Sequence, residues 1–207
     1  MRSSKERVTD MKKKTLWLMI SVLLLNAIFS VVFTPFIPVT GSNNSQSYEI
    51  QSAGNSATTA TKVDAAGLFT FAVAQQPASN AGYVSTDADK VTQFSLATKY
   101  GSQGFLGHNY LAGASFSKLL IGSVITITYA DGHSLSYKVQ AVRQFQATSP
   151  NSPTSSFIDL ATNEKLTAKQ LFLQTYGIKG NLIFQTCIAK DTELSWGRLF
   201  VIATPIK

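Results

Sequence analysis

A single cysteine, Cys187, closes the apolar run Leu182-Ile183-Phe184-Gln185-Thr186-Cys187, and Arg198 opens the next one, Arg198-Leu199-Phe200-Val201-Ile202. A thiol with a pKa of about 8.5 is mostly protonated at neutral pH and needs a base or a cation to act as a nucleophile. His108, in Gly104-Phe105-Leu106-Gly107-His108-Asn109-Tyr110, is the candidate base. Together the three residue types suit nucleophilic acyl transfer: Cys187 attacks, His108 carries protons, and Arg198 steadies a thiolate or a developing oxyanion. Each also has a plain structural reading. A free cysteine often packs as a small apolar residue, a lone histidine is often a hydrogen-bonded structural residue, and an arginine at a strand end is often solvated. His133, following Asp131-Gly132, reads as a solvated turn residue.

The compartment weighs on the first of these alternatives. Arg2, Lys5, Arg7, Lys12, Lys13 and Lys14 crowd residues 1–14 against Glu6 and Asp10, and Thr15 to Thr34 follows without a charge. Roughly twenty apolar residues cross a ~30 Å hydrocarbon core, and the basic flank stays inside. Pro35-Phe36-Ile37-Pro38 stands where a cleaved signal peptide would show small residues. An uncleaved single-pass signal-anchor is therefore expected at 15–34, with the rest of the chain outside the cytoplasm. A lone thiol in an oxidising compartment has no partner in the chain and asks for a use.

Residues 35–65 turn to Ser, Thr, Asn, Gln, Ala and Gly and read as a flexible tether, leaving 66–207 as one domain. The net charge of +7 argues little for nucleic acid. Residues 1–14 hold six of the 18 Lys and Arg and two of the 11 Asp and Glu, so the remainder is nearly balanced, at 12 against 9. No basic cluster interleaved with aromatics follows, and no nucleic-acid partner is expected.

The elements that must position the three residues are mostly strands. Val124 to Tyr129 alternates β-branched with polar residues, Asp131-Gly132 supplies a turn, and Ser134 to Val142 resumes the alternation, which predicts a hairpin. Leu68–Ala74 and Val91–Tyr100 are weaker strand candidates. Thr167 with Gln170 forms a capping-box pattern ahead of Leu171, Phe172 and Tyr176, with Gly177 to stop the helix. Asn181–Thr186 and Arg198–Thr204 are the most apolar strands. The class is mainly β, a closed or partly closed barrel with one or two short helices. If the last two strands pair antiparallel, Cys187 and Arg198 meet at one rim beneath a loop of residues 188–197; a register slip of one residue would separate them.

Gly107-His108, Gln185-Thr186-Cys187 and Gly197-Arg198-Leu199-Phe200-Val201-Ile202 resemble, in order, the three signature segments of sortases, which are cell-surface cysteine transpeptidases. The resemblance spans roughly residues 66–207 together with the signal-anchor arrangement. It implies a sortase-like β-barrel in which Cys187 attacks an LPxTG-like sorting signal and forms a thioacyl intermediate. His108 would serve as acid and base and Arg198 as the oxyanion-stabilising residue, with Thr186 assisting substrate positioning. The partners implied are surface proteins carrying a C-terminal sorting signal and an amine acceptor, such as a peptidoglycan precursor or a pilin lysine. No cofactor is implied. Ile183 stands where the family usually has Thr, and the early Ile-Pro strand motif is not recognisable in residues 66–84. Some family members bind calcium, but Asp159 and Glu164 are too few oxygens for it, and no zinc spacing occurs. Two alternatives stand beside this reading: an exported cysteine hydrolase of another fold, and a membrane-tethered β domain that binds without catalysis.

Overall fold

The computed structural model describes residues 57–152 and 154–207. The expected basic segment and signal-anchor, and the tether up to residue 56, lie outside the described residues. Among the described residues, no helix is long and apolar enough to cross a membrane.

Ten strands carry the fold: β1 (Ala60–Ala65), β2 (Phe69–Gln75), β3 (Lys90–Gln93), β4 (Gln103–Leu106), β5 (Val124–Tyr129), β6 (Ser134–Ala147), β7 (Phe157–Asp159), β8 (Lys165–Leu166), β9 (Leu182–Lys190) and β10 (Glu193–Pro205). Two short α-helices, α1 (Ser95–Lys99) and α2 (Ala168–Tyr176), and a 3₁₀ helix (Ala112–Lys118) complete it. Hydrogen bonding runs β10-β9-β4-β3-β2-β1-β5-β6, and β6 pairs again with β10, so eight strands close into a barrel. The fourteen-residue β6 makes closure possible by pairing with β5 through its first residues and with β10 from Tyr137 to Gln146. The short β7 and β8 extend from its far end as a flap.

Alternation along the strands produces two apolar cores, one on each face of the sheet. The barrel interior holds Val63, Phe105, Phe116, Ile127, Phe184 and Val201, among others. The outer face of β4, β9, β10 and β6 presents Leu106, Ile183, Phe200 and Phe145, covered by Leu171 and Tyr176 of α2 and by Phe157 and Leu166 of the flap. Neighbouring residues Ile183 and Phe184 thus serve different cores. The flap is further tied to the barrel by Arg143 of β6, whose Nη2 donates to Asp159 at 2.6 Å. That buried carboxylate is therefore engaged with a cation inside the protein.

The capping box forms as expected: Thr167 Oγ1 accepts from the Gln170 amide, and Gln170 Oε1 accepts from the Thr167 amide. The β5–β6 hairpin also forms, with Gly132 at φ +90° in its turn. His133 stacks on Tyr129 (centroids 4.4 Å apart) and pairs with Asp131, on the exposed tip.

Three expectations need correction. The stretch read as tether contains β1, which pairs with both β2 and β5, so the folded domain begins before residue 66. Its buried Ala60, Val63 and Ala65 are small, and a register shift after Ala60 breaks their period, which hid a strand inside a Ser/Thr-rich composition. The candidate strand Val91–Tyr100 is β3 followed by α1, with Phe94 as the N-cap residue. Cys187 and Arg198 lie within strands rather than at their ends: β9 and β10 run on as a ribbon to a turn at Asp191-Thr192, with Lys190 paired to Glu193. No separate loop of residues 188–197 exists.

Candidate active site

The register of three neighbouring strands builds the site. Arg198 is the direct antiparallel partner of Cys187. Directly opposed residues project to the same face of a sheet, so thiol and guanidinium share the outer face with Ile183 and Phe200. On the other side of β9, β4 runs parallel with Leu106 level with Gln185. The chain keeps this course beyond β4, because the Gly107 amide donates to the Gln185 carbonyl at 3.2 Å. Two residues past Leu106 on the same face comes His108, two past Gln185 comes Cys187. Cys187 and Arg198 thus face each other across β9 and β10, and His108 follows the end of β4 by two residues, on the course that leads past Cys187.

His108 leaves the strand into a turn closed by the Leu111 amide on the His108 carbonyl (2.9 Å). Close packing behind the sheet holds that turn. Gly107 and Gly113 approach so nearly that a Cβ on Gly113 would stand 2.5 Å from the Gly107 carbonyl oxygen. In front, Tyr110 stacks on the imidazole, with ring centroids 5.3 Å apart. Asn109 ties the turn to the cysteine–arginine ribbon: its carboxamide donates to the Leu194 carbonyl at 3.0 Å. Sequence reasoning did not single out Asn109, and nothing in its neighbours signals so remote a contact.

The imidazole is half-buried, and its Nε2 is enclosed without a hydrogen-bond partner. Burial pushes its pKa below the ordinary value of 6.5, while contact with the Val84 backbone opposes the shift. At neutral pH it is an uncharged imidazole with a free ring nitrogen. Cys187 is partly exposed and unpaired. Among the described residues its thiol makes no hydrogen bond to His108, so the proton path between them closes only on a further approach.

Arg198 donates from Nη1 to the carbonyls of Ser195 (3.0 Å) and Gly197 (2.8 Å), and its guanidinium lies 5.8 Å from the Phe157 ring centroid. These contacts brace one end of the fork. No carboxylate pairs with it among the described residues, and Nε and Nη2 remain available as donors. Among the described residues no cluster of His, Cys, Asp and Glu could hold a metal ion.

Thr186 stands apart. Its neighbours in the alternation are Phe184 and Ile188, both interior, and its Oγ1 is buried without a partner beside the 3₁₀ helix. A Cβ on Gly113 would come within 2.5 Å of that oxygen. The side chain thus faces the barrel interior, opposite to the thiol, and a side-chain role in substrate positioning does not fit this geometry.

No family model and no curated protein matches the chain. Solved structures do. The solved structures it is similar to are sortases of several classes. Listeria monocytogenes sortase A overlays with a TM-score of 0.43 at 12% identity, over 70% of this chain and 86% of that one. A Clostridium perfringens sortase D5 transpeptidase gives 0.44 at 14% over 70% and 78%, and sortase C1 from Streptococcus suis gives 0.45 at 11% over 73% and 75%. At such identities the residues of this site, rather than the overlay with sortases, must carry the chemistry.

Proposed function

We propose that the protein is a membrane-anchored, extracytoplasmic cysteine transpeptidase of the sortase type, which cleaves a sorting-signal peptide and passes its acyl part to an amine. The observation that carries the reading is the direct pairing of Cys187 with Arg198 on one face of β9 and β10, with His108 two residues beyond the end of the neighbouring β4. The anchor rests on the basic residues 1–14 and the uncharged stretch 15–34.

These three residues account for each step. Neutral His108 takes the proton of the Cys187 thiol, and the thiolate sulfur attacks the scissile carbonyl carbon. The developing oxyanion is met by the free N–H donors of Arg198, which act in a site partly shielded from water. Collapse breaks the C–N bond, the imidazolium gives its proton to the leaving amine, and a thioester remains on Cys187. An incoming amine attacks that thioester, its proton passes to His108, and the sulfur leaves as thiolate. Water resolving the same thioester would give hydrolysis. Arg198 contributes a planar fork with one edge already fixed by the Ser195 and Gly197 carbonyls. A lysine ammonium cannot keep that brace and offer a second edge, so Arg198→Lys should lose most of the activity, on the order of 10²-fold or more.

The test uses the full chain in detergent micelles with a panel of LPxTG-like peptides and an amine acceptor. Transfer product that disappears in Cys187→Ala supports the transpeptidase. Cleavage without transfer would mark a hydrolase, and absence of any thioacyl adduct across the panel would leave a non-catalytic binding domain.

A further inference from the structure

We propose that Gln185 is a specificity-determining residue for the peptide substrate, selecting a side chain that accepts a hydrogen bond about two residues from the scissile bond. The inference rests on the transpeptidase reading and adds the kind of peptide it takes.

Gln185 lies on the face of Cys187, one pleat repeat back along β9, about 7 Å away at ~3.3 Å per residue. Its row neighbours are Leu106 on β4 and Phe200 on β10, only 6% and 3% exposed. A carboxamide between two buried apolar residues needs a reason. Tyr176, the last residue of α2 and 1% exposed, supplies half of it by donating its hydroxyl to Gln185 Oε1 at 2.7 Å. The tyrosine hydroxyl has no other partner among the described residues, and in this bond the amide turns its oxygen toward α2. Its NH₂ group then points away from the helix. Nε2 makes no hydrogen bond, yet it is not among the enclosed unpartnered atoms, so it reaches solvent. A half-buried side chain thus holds a solvent-reaching amide nitrogen on the face of the thiol, about 7 Å along β9 from it.

An extended peptide laid along β9 advances ~3.3–3.6 Å per residue, so in that course a residue about two removed from the attacked carbonyl comes level with this amide's donors. Ser, Thr, Asn, Gln or a carboxylate there would accept from Nε2. An isosteric apolar side chain would cover the donors and leave them unpaired, the arrangement by which a polar site rejects analogues. A residue present only to satisfy Tyr176 would instead leave substrate preference unchanged when replaced.

Two measurements separate this inference from the function it rests on. In the first, full-length Cys187→Ala protein in micelles is titrated with LPxTG-like peptides varied around the scissile bond between Ser, Asn, Gln and their apolar isosteres. In the second, the same pairs compete for turnover by the active enzyme. The expected preference for the hydrogen-bond acceptors is about 5- to 10-fold, the size of one neutral hydrogen bond. It should vanish or invert in Gln185→Leu and weaken in Tyr176→Phe, which frees the carboxamide to rotate. Gln185→Glu keeps an acceptor for Tyr176 and puts a carboxylate in place of the donors, so it should reject the same peptide carrying Asp or Glu at that position, which the wild type favours, even if Gln185→Leu fails to fold. Unchanged ratios in the variants that fold would overturn the role of Gln185 while turnover stands. Selective binding that depends on Gln185, without turnover of any peptide, would sink the transpeptidase and leave the selector intact. No binding and no turnover would remove both.

Discussion

Residue chemistry turns here on which face each side chain takes. Thr186 precedes the nucleophile, yet its Oγ1 is enclosed in the interior without a partner. Replacing an unsatisfied buried hydroxyl with a methyl group of the same shape is nearly neutral or stabilising. Thr186→Val should therefore melt at the same temperature or slightly higher and keep transfer activity within about twofold; a collapse of kcat with an intact fold would show that the hydroxyl serves the reaction. His108 makes a prediction with a definite sign. Its folded pKa is depressed below 6.5 by burial, so below that pH the unfolded chain takes up a proton that the folded chain refuses. Its contribution to stability is full above about 6.5 and is lost as pH falls toward the folded value. Thermal melts from pH 7.5 downward should fall more steeply in the wild type than in His108→Gln. Parallel curves would mean that the imidazole is not desolvated in the folded protein.

At the scale of elements, the strand pair carrying the site was legible because its signal is a repeating one. The apolar runs of β9 and β10 marked two strands, and their pairing, which the sequence offered only as a condition, aligns Cys187 with Arg198. The capping box of α2 was equally local and equally readable. What escaped depends on contacts distant in sequence. The apolar run predicted a strand end at Cys187, whereas the ribbon continues through residues whose pairing, not hydropathy, makes them strand. The link from Asn109 to Leu194 and that from Tyr176 to Gln185 join separate elements and leave no local pattern. The His108 turn depends on another such contact, the meeting of Gly107 with Gly113. A methyl group on Gly113 would collide with the Gly107 carbonyl and with Thr186 Oγ1, both 2.5 Å away; the hydroxyl could turn aside by rotating its side chain, but the carbonyl cannot withdraw without moving the turn. Gly113→Ala should cost about 1–3 kcal/mol of stability by overpacking. It should also lower kcat/KM, although the residue lies behind the sheet from the substrate. An unchanged melting temperature with unchanged activity would show that the turn is not held from behind.

For the whole molecule, closure of the barrel decides where the folded domain begins, and composition misleads on that point. The stretch before residue 66 is rich in Ser and Thr, yet β1 fills the gap between β2 and β5 and completes the ring. Val63 is fully buried, with Ala60 and Ala65 at 1% exposure. Two glutamines, buried Gln93 and exposed Gln75, fix its entry. Gln93 Oε1 accepts from the Ala60 amide at 2.9 Å, its Nε2 donates to the Thr58 carbonyl at 2.8 Å, and Gln75 Nε2 donates to the Ala60 carbonyl at 2.8 Å. Without β1, the facing edges of β2 and β5 would expose unpaired backbone groups over an opened core, and the buried Gln93 would lose two of its partners. Such edges are also templates for association. A chain starting at Ala66 should consequently lack a cooperative melt and aggregate on expression, whereas one starting at Ala57 should unfold in a single transition. Thermal denaturation of the two, followed by near-ultraviolet circular dichroism, makes the comparison. A cooperative transition in the shorter chain, within a few degrees of the longer one, would show that β1 is an accessory to the barrel and that seven strands enclose the core on their own.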